Sequence, residues 1–265
     1  MKGLNRFEKS INLQNLISLI IEYLIENPPT LGHGFSHFIK TARTAYKIAQ
    51  KNKADEANLE EQSYIAGLLH DIHRPALGEA GKEKHEEKGS LIAMRILQTS
   101  NYSEIAERLS LILKGKDEQI LNDNAELLTT LLSVADKIEM SNQRGVAYTW
   151  ASNRELKKQN KPIVYHNFLE VMRDFAIYQV KAWKIFNKVE IKGVNAAIDS
   201  YIKSNNDLLN LVKLESLNNI NYKNESLKIA KKEANLELEF LKSFNIDKKT
   251  IRKITANYSE LIFPF

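Results

Sequence analysis

The adjacent pair His70-Asp71 closes the apolar run Tyr64-Ile65-Ala66-Gly67-Leu68-Leu69. It follows His37 by 33 positions and is answered 65 positions later by Asp136, which ends the apolar stretch Leu131-Leu132-Ser133-Val134-Ala135. Imidazoles and carboxylates seldom terminate separate buried stretches without partners, because an unpaired buried carboxylate costs several kcal/mol or titrates to its neutral form. One shared divalent cation satisfies all four groups together. Two neutral imidazoles and two carboxylates suit a borderline transition metal (Mn, Fe, Co, Ni or Zn) and neutralise its charge. A His-Asp dipeptide by itself carries little weight in a chain with six histidines, so the argument rests on its surroundings. An inactive relic of a metal site and a coincidence of positions are the alternatives.

Four segments lie in order along the chain: Gly32-His33-Gly34-Phe35-Ser36-His37, Leu68-Leu69-His70-Asp71-Ile72-His73-Arg74, His85-Glu86-Glu87-Lys88-Gly89 and Val134-Ala135-Asp136-Lys137. Their order and spacing resemble those of the HD-domain metal-dependent phosphohydrolases, over about residues 30 to 150. The resemblance implies that His37, His70, Asp71 and Asp136 are ligands of a divalent metal. Two departures stand out. His73 occupies a position where many members have glycine, and only His85 lies between His73 and Asp136, with Lys114 near the place where a further histidine is expected. The second departure points to one metal ion.

The activity implied is hydrolysis of a small phosphate ester, with nucleotides among the candidates, through a metal-bound hydroxide. Asp71 and His85 are then the expected catalytic groups, and His33, Arg74, Lys137 and Arg144 the expected substrate contacts. Each has a plainer competitor. His33 can orient a ligand, and Arg74 can form a surface ion pair instead of gripping phosphate. His85 can cap its helix, Lys137 can form a salt bridge, and His73 can pack away from the pocket. His166 reads as structural, and the place of Arg144-Gly145 at the pocket border is an expectation from position alone. Two other readings of the whole protein stay open: a phosphodiesterase acting on cyclic nucleotides or RNA, and a catalytically idle metal- or nucleotide-binding module that regulates a partner.

Composition narrows the field. Cysteine is absent, which excludes disulfides and thiolate chemistry and leaves His and carboxylate as the strong metal ligands. It also permits a reducing compartment, with the cytoplasm as the expectation. The net charge of +5 and a pI near 9.1 favour anionic partners. The lysine clusters at 157, 158 and 161, at 231 and 232, and at 248 and 249 fit solvated helix faces. No zinc-finger, glycine-rich phosphate loop or aromatic-basic RNA pattern is present, so nucleic acid is not favoured. The N-terminal apolar segment is interrupted by Gln14, Asn15, Ser18 and Glu22, and reads as an amphipathic helix instead of a leader or membrane span.

The elements that must position these groups are helical from end to end. The periodicity predicts an all-α fold: an HD-domain helical bundle at 30–145 with a helical extension at 146–265, the two packed as a single domain. Residues 10 to 26 place Leu13, Leu16, Ile17, Ile20 and Leu24 on one face, and Pro28-Pro29 stop the helix. A second helix is expected to begin at Ser36 as N-cap, with His37 in its first turn and Ala42, Ala45, Ile48 and Ala49 inward. A third, about 55 to 71, delivers His70 and Asp71 at its end. Adjacent helix positions diverge by about 100°, so both reach one ion only beyond or beside that end. Pro75, Gly78 and Gly81 predict a loop bordering the pocket. Helices at about 84–98, 102–114 and 123–141 follow, the last carrying Leu128, Leu131, Leu132, Ala135 and Asp136. The extension shows two apolar stripes, Phe168 to Ala182 (including Tyr178) and Val194 to Val212, and its tail Leu261–Phe265 is expected to dock on apolar surface.

Overall fold

The computed structural model describes residues 2–52, 58–74, 85–114, 116, 125–140, 143–158, 160, 163–186, 191, 192, 194, 203, 206 and 219–258. Among these there are helices, turns and no strand; the fold is all-α. The expected loop at Pro75, Gly78 and Gly81, the stripe positions Ile198, Ile202, Leu209 and Val212, and the tail Leu261–Phe265 lie outside the described residues.

The N-terminal helices are α1 (Lys2–Glu8), α2 (Ile11–Glu26), α3 (Phe35–Lys51) and α4 (Leu59–Leu69). They are followed by α5 (His85–Gln98), α6 (Ala106–Leu113), α7 (Leu127–Glu139) and α8 (Gln143–Lys158). The C-terminal helices are α9 (Phe168–Phe186), α10 (Asn219–Ser243) and α11 (Lys248–Ile254). Local chemistry explains several boundaries. The Ser10 hydroxyl accepts from Leu13 N at 3.3 Å, which caps α2, and the helix stops just before the prolines that cannot continue it. Asp247 accepts from Lys249 N and Thr250 N and so caps α11.

The centre of the bundle is α3, against which α4 and α7 both pack. The predicted inward positions Ala42, Ala45, Ile48 and Ala49 on α3 are buried, as are Leu128, Leu131, Leu132 and Ala135 on α7. Gly67 is a close approach of α4 to α3: a Cβ there would stand 2.5 Å from Ala42 Cα, so only glycine lets the backbones meet. This contact sets His37 and the end of α4 side by side.

The C-terminal helices contribute to the same apolar core through Trp183, Phe186, Leu241, Ile251 and Ile254. Smaller clusters surround Tyr148 with Ala230, Ala234 and Tyr258, and Val146 with Phe168, Val171, Met172 and Phe175. Three expectations are corrected. The N-cap position of α3 is Gly34, which has no side chain to cap with, one position before the first residue Phe35; Ser36 is already inside the helix and buried. Tyr178 is 47% exposed despite its place in the α9 stripe, with the Lys137 ammonium 5.3 Å from its ring. His166 is exposed, in the turn before α9, and not packed as structural histidines are.

Candidate metal centre

Three helix ends deliver the four predicted ligands to one place. His37 is the third residue of α3, His70 and Asp71 follow the last residue of α4, and Asp136 lies in the last turn of α7. All four are buried, none more than 6% exposed. One donor atom from each lies within 4.8 Å of every other. His37 Nε2 is 3.1 Å from His70 Nε2. Asp136 Oδ1 is 3.4 Å from the first and 3.6 Å from the second; Asp71 Oδ2 is 3.8 and 3.4 Å from them.

These separations can be set against a coordination sphere. Ligand bonds of about 2.0–2.2 Å place neighbouring donors roughly 2.8–3.1 Å apart at right angles and roughly 3.3–3.6 Å apart at tetrahedral angles. The observed edges fall in or beside those ranges, so the four atoms can hold one ion with little movement. The imidazoles are set for it too. His70 Nδ1 donates to Gly67 O at 2.9 Å, which fixes its proton there and leaves the Nε2 lone pair facing the cluster. Asp71 Oδ1 and His37 Nδ1 are buried without a hydrogen-bond partner among the described residues.

The neighbouring cations keep both carboxylates ionised, the form a metal ligand needs. Burial alone would push both carboxyls up; instead His70, His33, Arg74 and Lys116 hold Asp71 well below the usual carboxylate range. Lys116, Lys137, His37 and His70 do the same for Asp136. Burial pushes the His37 imidazole down. At His70 burial works in the same direction, yet the Asp71 charge and the hydrogen bonds to Asp136 and Asp71 bring the net shift upward. Two ionised carboxylates thus draw a proton toward His70, and a divalent cation would take the place of that proton.

The remaining predicted residues separate into two groups. His33 Nδ1 stands 2.8 Å from Asp71 Oδ2. Burial lowers its pKa to about 4, so the neutral ring donates and orients that carboxylate. Arg74 Nη1 lies 3.8 Å from Asp71 Oδ1 and donates to His85 Nε2, which brings the first residue of α5 to the same rim. Lys137 Nζ is 3.0 Å from Asp136 Oδ2: the competing salt bridge is formed, within the site.

His73 and Arg144 are placed elsewhere. His73 Nδ1 pairs with the Tyr23 hydroxyl of α2 at 2.8 Å, an anchor for the turn after the His-Asp pair. Arg144 bonds Glu139 at 2.7 Å and Glu233 at 3.1 Å. Its guanidinium is spent on two carboxylates and not turned to the pocket, and Gly145 beside it is pressed against the Phe175 ring.

Sequence reasoning missed two kinds of residue. Lys116 is 2% exposed and its Nζ lies 3.2 Å from Asp136 Oδ2, so two ammonium groups hold the outer oxygen of one ligand. Its only local signal is a lysine shortly after an apolar helix, which is ordinary surface chemistry in most chains. Glu233 and Glu237 of α10 also reach α3, at Lys40 and at the first-turn amides. No spacing rule connects positions some 200 residues apart.

Residues 34–141 match the family model of the HD domain. Comparison with curated proteins and with solved structures gives no match. The family match begins with the glycine that precedes α3 and ends just past α7, so it spans all four clustered His and Asp side chains. The chain thus carries, at residues 34–141, a segment that matches the HD domain.

Proposed function

We propose that this protein is a single-metal phosphohydrolase acting on a small phosphate ester, with nucleotides among its candidate substrates. The observation that carries the reading is the convergence of His37 Nε2, His70 Nε2, Asp71 Oδ2 and Asp136 Oδ1, buried and at coordination spacing. HD domains bind divalent metals, and such an ion supplies Lewis acidity, which eases proton loss from water and offsets charge on a phosphoryl oxygen.

The protein's own groups support an anionic substrate. Around the cluster, Arg74, Lys116 and Lys137 outnumber Asp71 and Asp136 by one cation, before any metal charge is added. Arg74 and His33 are the more open groups, with side chains 25% and 21% exposed, so a ligand would approach over them. The Arg74 guanidinium would grip phosphoryl oxygens. Asp71 Oδ1 would accept a proton from the attacking water while Oδ2 stays directed at the cluster. His85 would return a proton to the leaving oxygen once substrate takes its place on Arg74. The near-complete burial of the four ligands favours a small ester over a polymer threaded across the site. We also infer that the HD segment and the C-terminal helices act as one domain, because they share one apolar core.

The test is metal content measured together with phosphate release. Metal-free protein would be loaded separately with Mn, Fe, Co, Ni and Zn, then offered phosphomonoesters, nucleotides, cyclic nucleotides and short RNA. One tightly held ion per chain and monoester turnover are expected, both lost in Asp136→Ala. Preference for the diesters would move the assignment to a phosphodiesterase. Nucleotide binding with no turnover would make the protein a regulatory module. An Asp136→Ala protein that keeps its metal and full activity would remove the proposed site.

A further inference from the structure

The helix that carries His37 has no cap of its own. Gly34 precedes it in the extended conformation that an N-cap adopts (φ −80°, ψ 178°), but has no side chain to accept from the first-turn amides. Those amides are nevertheless satisfied. Glu237, in the middle of α10, accepts from Phe35 N at 2.7 Å through Oε1 and from Ser36 N through Oε2. The Tyr258 hydroxyl donates to the same Oε1 at 3.1 Å. Together with the Ser36 hydroxyl, which also bonds this carboxyl, these donors converge on two oxygens of a side chain that is 1% exposed.

The missing Cβ at position 34 is part of the device. A methyl group there would stand 2.9 Å from the Tyr258 hydroxyl and 3.0 Å from Glu237 Oε1, inside ordinary contact. A residue able to cap α3 from its own side would therefore crowd the tips of Glu237 and Tyr258. One turn earlier on α10, Glu233 pairs with Lys40, one turn along α3 from His37. Two carboxylates on one face of α10 thus engage α3, at its N-terminus and beyond its metal-facing residue. Both lie well outside the HD-domain segment at 34–141.

From this we infer that Glu237 is a positioning residue for the metal centre: it caps α3 in trans and thereby fixes His37, the third residue of that helix, toward the cluster. The inference rests on the metal-site reading for its consequence, though not for the cap itself. An uncapped first turn frays, and His37 Nε2 must keep its place within tenths of an ångström of a coordination sphere.

The experiment uses the full chain, metal-free, in two measurements. Amide hydrogen exchange at Phe35, Ser36 and His37 reads the cap without any metal. Co(II) titration followed by visible absorption reads the site, with thermal unfolding as the check on folding. In Glu237→Gln, exchange at Phe35 and Ser36 should accelerate, and Co(II) should bind about 10- to 100-fold more weakly, the usual effect of removing an outer support of a metal ligand. Because a buried substitution can cost folding, a second variant restores the cap locally. In Glu237→Ala with Tyr258→Phe the crowding atoms are gone, and adding Gly34→Ser supplies a good N-cap side chain. That addition should recover slow exchange and most of the Co(II) affinity without re-forming the contact with α10. Unchanged exchange in Glu237→Gln, or a folded Gly34→Ser combination that recovers slow exchange but not Co(II) affinity, would overturn the inference. Should the native protein bind no Co(II), the metal-site reading fails and the positioning claim fails with it, while the exchange data still show whether Glu237 caps α3.

Discussion

Gly67→Ala sets two effects of known sign against each other. In an isolated helix the change should stabilise by about 0.5–1 kcal/mol, since alanine loses less conformational freedom on folding. Here the new Cβ would lie 2.5 Å from Ala42 Cα and 2.7 Å from Ala42 N, about 0.9 Å inside the 3.4 Å where ordinary contact begins. The obstacle is backbone, so no rotamer relieves it and α4 must move away from α3. Overpacking of this kind costs about 1–3 kcal/mol, so net destabilisation is expected. The metal site should suffer more sharply. His37 rides on α3 and His70 follows α4, and their Nε2 atoms are 3.1 Å apart, whereas ligand distances tolerate only about 0.2 Å of error. The same residue also supplies the carbonyl that holds the His70 Nδ1 proton. Metal affinity should fall about 10- to 100-fold, as when outer supports are lost, and the melting temperature should drop. Co(II) titration and thermal unfolding of the purified variant measure both. A protein that melts higher than the native one and binds Co(II) equally well would refute the idea that this helix contact sets the ligand spacing.

Arg74→Ala should raise KM or lower kcat for phosphate esters while metal content is unchanged, because the guanidinium sits 3.8 Å from Asp71 Oδ1 as a charge partner and not as a ligand; a large metal loss would contradict that role. Lys116→Met removes a cation from the outer oxygen of Asp136 while Lys137 still pairs it, so Co(II) should bind as tightly or more tightly and inorganic phosphate more weakly; weaker binding of both ions would show that Lys116 instead holds Asp136 in place. Stability should also fall in acid through Glu233. Burial pushes this carboxyl up, but Lys40, Arg144 and Tyr148 hold its pKa below 4.5 in the folded protein, so its contribution is complete above that value and is lost as pH falls through the folded pKa. The gain is modest, since at Lys40 burial outweighs the same pairing and pushes the ammonium down. Urea unfolding from pH 7 to pH 3 should therefore be less pH-dependent in Glu233→Gln, and identical slopes in the two proteins would count against the pairing.

His70-Asp71 and Asp136 were legible because each ends an apolar stretch, and a charged group at such a place announces a partner; His37 was legible through its spacing and the resemblance of its segment. Helix α2 was legible to within a residue for a similar reason: period, cap and proline agree across Ser10 to Pro29. The start of α3 was misread because Ser36 is a good cap by type, while the cap in use belongs to another helix. Arg144 was placed near the pocket because it follows Asp136 closely, but helix geometry turned it to Glu139 and Glu233. Lys116 was unreadable on other grounds. A buried lysine is rare, and only the folded position of Asp136 explains this one. Local patterns report which face is apolar; they do not report which distant polar group that packing brings near.

Those distant contacts tie two helices that carry clustered residues, α3 and α7, to a third. Lys40 lies one turn beyond His37 on α3, and Glu139 one turn beyond Asp136 on α7. Thr44 donates to Glu139 at 2.9 Å, a direct link between the two helices. Arg144 then bridges Glu139 to Glu233, and Glu233 to Lys40, so α10 closes a polar circuit beside the metal cluster. Each surface ion pair of this kind is worth little alone, but these groups are largely buried and share partners, so loss of one leaves the others unsatisfied. The circuit resists sliding of α3 against α7, the motion that would separate His37 from Asp136. An HD segment cut off after residue 141 would keep all four ligand side chains and lose Arg144, Glu233 and Glu237 together. The four clustered residues therefore all lie in the HD segment, whereas contacts that brace two of their helices come from helices that follow it.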